Sequence, residues 1–159
     1  MIGIKIHLRI INLLKKGGEI EMIIKMQDAK VLVAYPVHVF ELLQIYFKTL
    51  DSVDRDKEHF FVFHLDVRNK IRIMDLVSVG TLTQSLVHPR EVFTRVIAKR
   101  TSTIILAHNH PSGETSPSYE DISVTKRLCE AGRILEISVM DHIIFTDKEF
   151  YSFKEHELI

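Results

Sequence analysis

Residues 103–121 constrain this chain more than any other stretch. Thr103-Ile104-Ile105-Leu106-Ala107 is a compact apolar and β-branched run, the pattern of a buried strand, and His108-Asn109-His110 sits at its mouth. In extended backbone, residues i and i+2 point the same way, so His108 and His110 direct both imidazoles at one point while Asn109 faces elsewhere. Pro111, Gly113 and Pro117 then turn the chain, and Ser118 to Asp121 opens a helical pattern that can return a carboxylate to the imidazoles. A buried strand that turns directly into a helix needs a sheet with helices packed on it. Two imidazole nitrogens and one carboxylate oxygen, with a fourth position open, form the catalytic rather than the structural arrangement of a zinc site.

The remaining periodicities agree with such a domain. Residues 60–65 and 71–79 read as a β-hairpin closed by a turn containing Asn69, and residues 89–98 as an amphipathic helix with Pro89 in its first turn. Residues 119–131 are helical, with Ile122, Thr125, Leu128 and Cys129 inward and Gly132 as the stop signal. Residues 134–140, 141–145 and 150–153 read as closing strands. The order implies α/β architecture: a mixed central β-sheet flanked by helices.

The front of the chain is harder to place. Residues 2–10 alternate as a strand would, residues 20–33 suggest a small hairpin turning at Gln27-Asp28, and residues 37–50 a helix behind Pro36. The charged run 51–57 reads as a solvated loop and a boundary, which divides the chain into a lead-in (1–57) and a main domain (58–159). Lys15-Lys16-Gly17-Gly18-Glu19 ahead of Met22 has the form of a translated ribosome-binding site. On that reading Met22 rather than Met1 is the natural start, and residues 1–21 are expected to be non-native or disordered.

Composition excludes several classes. At 159 residues, with 21 basic and 21 acidic side chains, the chain has no global charge to draw it to nucleic acid or anionic lipid. No apolar run reaches the length of a membrane span. One cysteine, Cys129, forms no internal disulfide and suits a reducing cytoplasm, so a cytoplasmic location is expected; in its apolar context Cys129 reads as core packing.

Each chemical reading has a plainer one beside it. His-x-His alone is as common on a solvated edge strand as at a metal. Ser118-x-x-Asp121 is also what a helix cap looks like, with the carboxylate near the positive end of the helix dipole. Glu58 is the candidate base to take a proton from an activated water without itself being a ligand, although by position alone it reads as surface charge. Asp141-His142 could be a second catalytic pair but reads rather as a buried pair on a closing strand that backs the site or is structural, and His88 and Arg90 beside Glu91 read as substrate anchors or equally as helix capping and salt bridging. Asn109 and Ser112 read as loop shapers.

From about residue 58 to its end, roughly two thirds of its length, the chain resembles the RadC family of the JAMM (MPN+) zinc metalloprotease superfamily. The matching strings are His88-Pro89-Arg90-Glu91-Val92-Phe93, His108-Asn109-His110-Pro111-Ser112-Gly113, Pro117-Ser118 with Asp121, and Asp141-His142-Ile143-Ile144 followed by Tyr151-Ser152-Phe153. The superfamily pattern is a distant glutamate, then His-x-His, seven residues, Ser, two residues and Asp, which this chain meets without a gap. The resemblance implies the JAMM/MPN (cytidine-deaminase-like) fold and one Zn²⁺ per chain on His108, His110 and Asp121. It implies Glu58 as general acid/base, Ser118 as donor to the oxyanion, and zinc-activated water attacking the amide carbonyl of a peptide or protein substrate. Longer family members carry a helix-hairpin-helix region, of which residues 1–57 show no signature; this looks like the short form found on mobile elements. The competing reading is a DNA-repair or mobile-element accessory protein that uses the fold as a binding module. Direct DNA binding finds no support in the charge, and neither substrate identity nor oligomeric state is legible.

Overall fold

The computed structural model describes residues 9–16, 19–25, 34–80 and 87–159, the first two stretches by backbone alone. Their strands form one seven-stranded sheet. In chain order the elements are β1 (Arg9–Lys16), β2 (Glu19–Lys25), α1 (Pro36–Phe47), α2 (Ser52–Arg55), β3 (His59–Leu65), β4 (Ile71–Val79), α3 (Pro89–Ala98), β5 (Thr103–Asn109), α4 (Tyr119–Ile134), β6 (Ser138–Phe145) and β7 (Phe150–Ser152). The sheet order is β1-β2-β4-β3-β5-β6-β7, antiparallel throughout except for β5 beside β6. That one parallel pair needs a crossover, and α4 supplies it. The expected mixed sheet flanked by helices is what the chain forms.

β3 is buried along its whole length, so it is apolar on both faces rather than alternating. Phe61 and Phe63 join Ile105, Ala107, Ile143 and Phe145 in a core covered by Val39, Leu42, Leu43, Tyr46 and Phe47 of α1. Phe60 and Val62 face the other way and pack with Ile104, Leu106, Val92, Phe93, Val96 and Leu128 under α3 and α4. The period of two thus assigns even-numbered residues of β3 and β5 to the α3/α4 side and odd-numbered ones to the α1 side.

Several boundaries differ from expectation. Packing does not part at residue 57, because α1 closes one face of the same sheet. The run 51–57 contains the short helix α2, whose N-cap Asp51 accepts from the Asp54 backbone N–H. Arg9–Lys16 and Glu19–Lys25 are paired strands. Met22 to Ile24 lie in a strand, but its partners are β1 and β4; the expected second arm at 31–33, the turn at Gln27-Asp28, the alternation over residues 2–8 and the connection 81–86 lie outside the described residues.

Gly132 does not stop α4. The helix continues to Ile134, and the left-handed residue beyond it is Glu136, with φ 56°. Glycine at 132 answers a different need: a Cβ there would stand 2.5 Å from the Ile137 carbonyl oxygen. Cys129 is half-buried beside it.

α3 is tied to the sheet by charge as well as by packing. Asp75 of β4 is fully buried, with Lys99 Nζ at 2.8 Å and Arg95 at 3.3 Å. Burial alone would push its carboxyl up, but the His64 ring 3.5 Å away, the hydrogen bond from Lys99 and the positive charges of Lys99 and Arg95 outweigh that and hold it below the ordinary range.

Candidate metal centre

His108 is the last but one residue of β5 and His110 follows the strand, so both imidazoles emerge on the α4 side at the strand's carboxyl end. The chain turns through Gly113, whose φ of +87° favours glycine, and enters α4 at Ser118. Asp121 is the third residue of that helix. Its Oδ1 lies 3.1 Å from His108 Nε2 and its Oδ2 3.3 Å from His110 Nε2. The two Nε2 atoms are 3.1 Å apart. Ligands about 2.0–2.1 Å from a tetrahedral zinc stand about 3.3 Å from one another, close to the spacing of the two nitrogens from each other and of each from its nearer Asp121 oxygen. One ligand atom from each of the three residues lies within 4.8 Å of the others.

Hydrogen bonds on the far side of each ring decide what the near side offers. His110 Nδ1 is 2.8 Å from the Glu114 carbonyl, which can only accept, so Nδ1 carries the proton and Nε2 a lone pair. His108 Nδ1 is 2.9 Å from His142 Nε2, and His142 Nδ1 is 2.6 Å from Thr125 Oγ1. The Thr125 hydroxyl donates to the Asp121 carbonyl and accepts from His142 Nδ1–H. His142 Nε2 must then accept from His108 Nδ1–H, which leaves the His108 Nε2 lone pair directed into the site. Complete burial pushes the His142 pKa well below its usual value and keeps that ring neutral.

Two ring nitrogens and a carboxylate therefore converge at contact distance, an arrangement that a shared proton or a cation between them relieves. The charges show the same demand. Burial would raise the Asp121 carboxyl, yet the two imidazoles and Ser118 hold it far below the carboxylate range. Burial would lower His110, yet Asp121 and the Glu114 carbonyl draw it upward. The donor set fits a zinc ion.

The cap and the carboxylate turned toward the imidazoles, which looked like alternatives, are one device. Ser118 N–H and Oγ–H both donate to Asp121 Oδ2, at 2.7 and 2.6 Å, and Ser118 Oγ accepts from Asp121 N–H at 3.1 Å. This reciprocal capping box sets the Asp121 rotamer while leaving Oδ1 toward His108. In this arrangement the Ser118 hydroxyl is engaged with the carboxylate.

Glu58 stands just before β3. Phe60 pairs with His108, so Glu58, two residues earlier, faces the same side as the imidazoles. It is half-buried and shares with His108, Asp121, Val87 and Val124 a cleft of about 250 Å³. Burial pushes its carboxyl above the ordinary value and Asp121 adds to this, against the pull of His108 and His110. A second cleft, about 460 Å³, opens beyond His110 and Asn109 over Phe47 and Phe145.

Other candidates resolve differently. His88 caps α3, its Nδ1 accepting from Arg90 N–H, and Arg90 pairs with Glu91. Asp141 and His142 part company: Asp141 accepts from Ser152 Oγ, Lys154 N–H and His142 N–H and fastens the end of the chain, whereas His142 serves His108. Thr125 was legible only as an inward helical residue; its position one turn after Asp121 was the available signal.

The family model described as RadC-like JAB domain matches residues 34–158. The chain belongs to the RadC-like JAB domain family. A "UPF0758 protein" of Alkaliphilus oremlandii is 44% identical over 158 residues, covering 99% of this chain and 65% of the relative. Others from Caldanaerobacter subterraneus (56% identical; 62% of this chain, 42% of the relative) and Moorella thermoacetica (53%; 65% and 45%) carry the same description. The chain spans less than two thirds of the length of these relatives. The match begins ahead of α1, so the RadC-like domain includes the helix that closes the sheet. No helix among the described residues is long and apolar enough to cross a membrane.

Proposed function

We propose that the protein is a zinc-dependent metallopeptidase or isopeptidase that hydrolyses an amide bond of a peptide or protein. One observation supports the reading: His108, His110 and Asp121 bring one ligand atom each within 4.8 Å of the others, while the Glu58 carboxylate lines the same cleft outside that cluster. Zinc held there would supply Lewis-acid activation of water and of the scissile carbonyl.

The chain's own groups would do the rest. The Glu114 carbonyl and His142 take the Nδ1 protons of His110 and His108, which turns each Nε2 toward the site, and Asp121 is held ionised. Glu58, raised by burial, is a better proton acceptor than an ordinary glutamate and can pass the proton on to the leaving amine. Ser118, once its hydroxyl turns from Asp121, stands where it could donate to the carbonyl oxygen as charge develops; loss of such a donor elsewhere costs about 10²–10³ in rate.

Elemental analysis and hydrolysis of quenched-fluorescent peptide and isopeptide substrates test the reading. Wild type should hold one zinc per chain, Asp121→Ala none, and Glu58→Gln should retain zinc while losing hydrolysis. Full occupancy without hydrolysis of any substrate would support a binding module instead, and zinc loss in Glu58→Gln would make Glu58 a ligand.

A further inference from the structure

We infer that Asn109, the residue between the two histidines, is a positioning residue that fixes Glu58 by gripping the backbone on either side of it. This rests on the reading of Glu58 as general base. Asn109 is odd-numbered in β5, so its side chain leaves the sheet on the face opposite His108 and is buried there. Its Oδ1 accepts from His59 N–H at 2.7 Å, and its Nδ2 donates to the Lys57 carbonyl at 2.9 Å. One amide thus uses both its donor and its acceptor on the residues immediately before and after Glu58.

The intervening residue is pinned from a third side, since Gly80 N–H donates to the Glu58 carbonyl at 2.8 Å. The His59 ring reinforces the grip, its Nδ1 lying 3.0 Å from the Lys57 carbonyl. Glu58 precedes the first residue of β3, where backbone would otherwise fray, and its side chain works on the face away from these bonds. Asn109 is covalently flanked by His108 and His110. Histidines and base are therefore referenced to one another through a single residue, independently of the run 51–57 that contains α2. Displacing a reacting group by about 1 Å can cost about 10²-fold in rate.

Only an amide meets the requirement. A carboxylate at 109 would accept from His59 but turn lone pairs on the Lys57 carbonyl, and an apolar side chain would leave both backbone groups unpaired in a buried place.

The test uses the full chain loaded with zinc and the variants Asn109→Leu and Glu58→Gln, singly and together. Amide hydrogen exchange followed by NMR reports the clamp, and hydrolysis of quenched-fluorescent peptides reports the chemistry. In Asn109→Leu, zinc stoichiometry should stay at wild type, His59 N–H should exchange at least about tenfold faster, and kcat should fall about 10²-fold with KM unchanged. That loss should vanish in the Glu58→Gln background, because a displaced base costs nothing once the base is gone. His59 exchange that does not change, or losses that multiply in the double variant, would overturn the inference. Should Asn109→Leu fail to fold, Asn109→Asp, which keeps the acceptor for His59 N–H and loses the donor to Lys57, is read by hydrolysis: a fall in kcat that disappears in the Glu58→Gln background supports the inference, and one that multiplies with it, or no fall, overturns it. A wild-type protein without hydrolysis would defeat the proposed function alone, and His59 exchange would still decide whether Asn109 holds the segment.

Discussion

His108 Nδ1 and His142 Nε2 lie 2.9 Å apart in the interior, two residues on adjacent parallel strands whose rings meet on the α4 side of the sheet. The proton between them belongs to His108, because Thr125 holds the opposite nitrogen of His142 as a donor. A helix hydroxyl one turn beyond Asp121 thereby determines which nitrogen of His108 faces the metal position.

Thr125→Val should therefore weaken zinc binding although Thr125 touches no metal. The expected loss is about 10–100-fold, the usual effect of removing a group that orients a ligand. Thr125→Ser, which restores the hydroxyl, should recover most of it. Competition with a chromophoric chelator measures both, and equal affinities in wild type and Thr125→Val would contradict the relay.

Ser118→Ala should destabilise the fold by about 1 kcal/mol through loss of the N-cap. Zinc should still bind, since Asp121 keeps the Ser118 backbone N–H. Thermal unfolding of metal-free and zinc-loaded protein separates the two effects. A loss of stability seen only with zinc present would show that the cap matters through the metal alone.

Asp75→Ala should cost about 1–3 kcal/mol at neutral pH, because it removes a fully buried carboxylate together with its charge-assisted hydrogen bonds to the half-buried Arg95 and Lys99. The Asp75 carboxyl is held below its ordinary value in the folded protein. On acidification the unfolded chain takes up the proton first, so the stabilisation is present above about pH 4 and fades below it as the folded carboxyl titrates. Urea unfolding at neutral and acid pH should show the gap between wild type and variant narrowing as the pH falls. A gap that widens toward acid would contradict this sign.

Gly132→Ala replaces a poor helix former with a better one, yet it should lower stability by about 1–3 kcal/mol. The added methyl meets the Ile137 carbonyl oxygen at 2.5 Å, with Phe93 and Val139 closing the other sides. A melting temperature at or above wild type would show that the α4–β6 turn can yield.

The strand, the two histidines and the following helix were legible because each is local: a β-branched run, a two-residue spacing, a cap. Glu58 was legible only through resemblance, since its facing toward His108 depends on the register of β3 against β5, and no nearby residue encodes that pairing. Asn109 was read as shaping its own loop; its partners at 57 and 59 lie some fifty residues away in sequence. His142 looked like half of a pair with Asp141, but a strand sends neighbours to opposite faces, so the two serve different ends. Gly132 misled because a glycine near a helix end has two uses, a left-handed turn or a close approach, and composition does not separate them. The lead-in seemed separable because its charged border resembles a linker, whereas the apolar side of α1 lies on the sheet.

X-ray absorption at the zinc edge of the purified full chain addresses the central claim most directly. The expected spectrum shows two imidazole nitrogens and oxygen from Asp121 and solvent, four donors at about 2.0–2.2 Å, unchanged in Glu58→Gln. No bound zinc, a fourth protein ligand in place of solvent, or a donor lost with Glu58 would contradict the account.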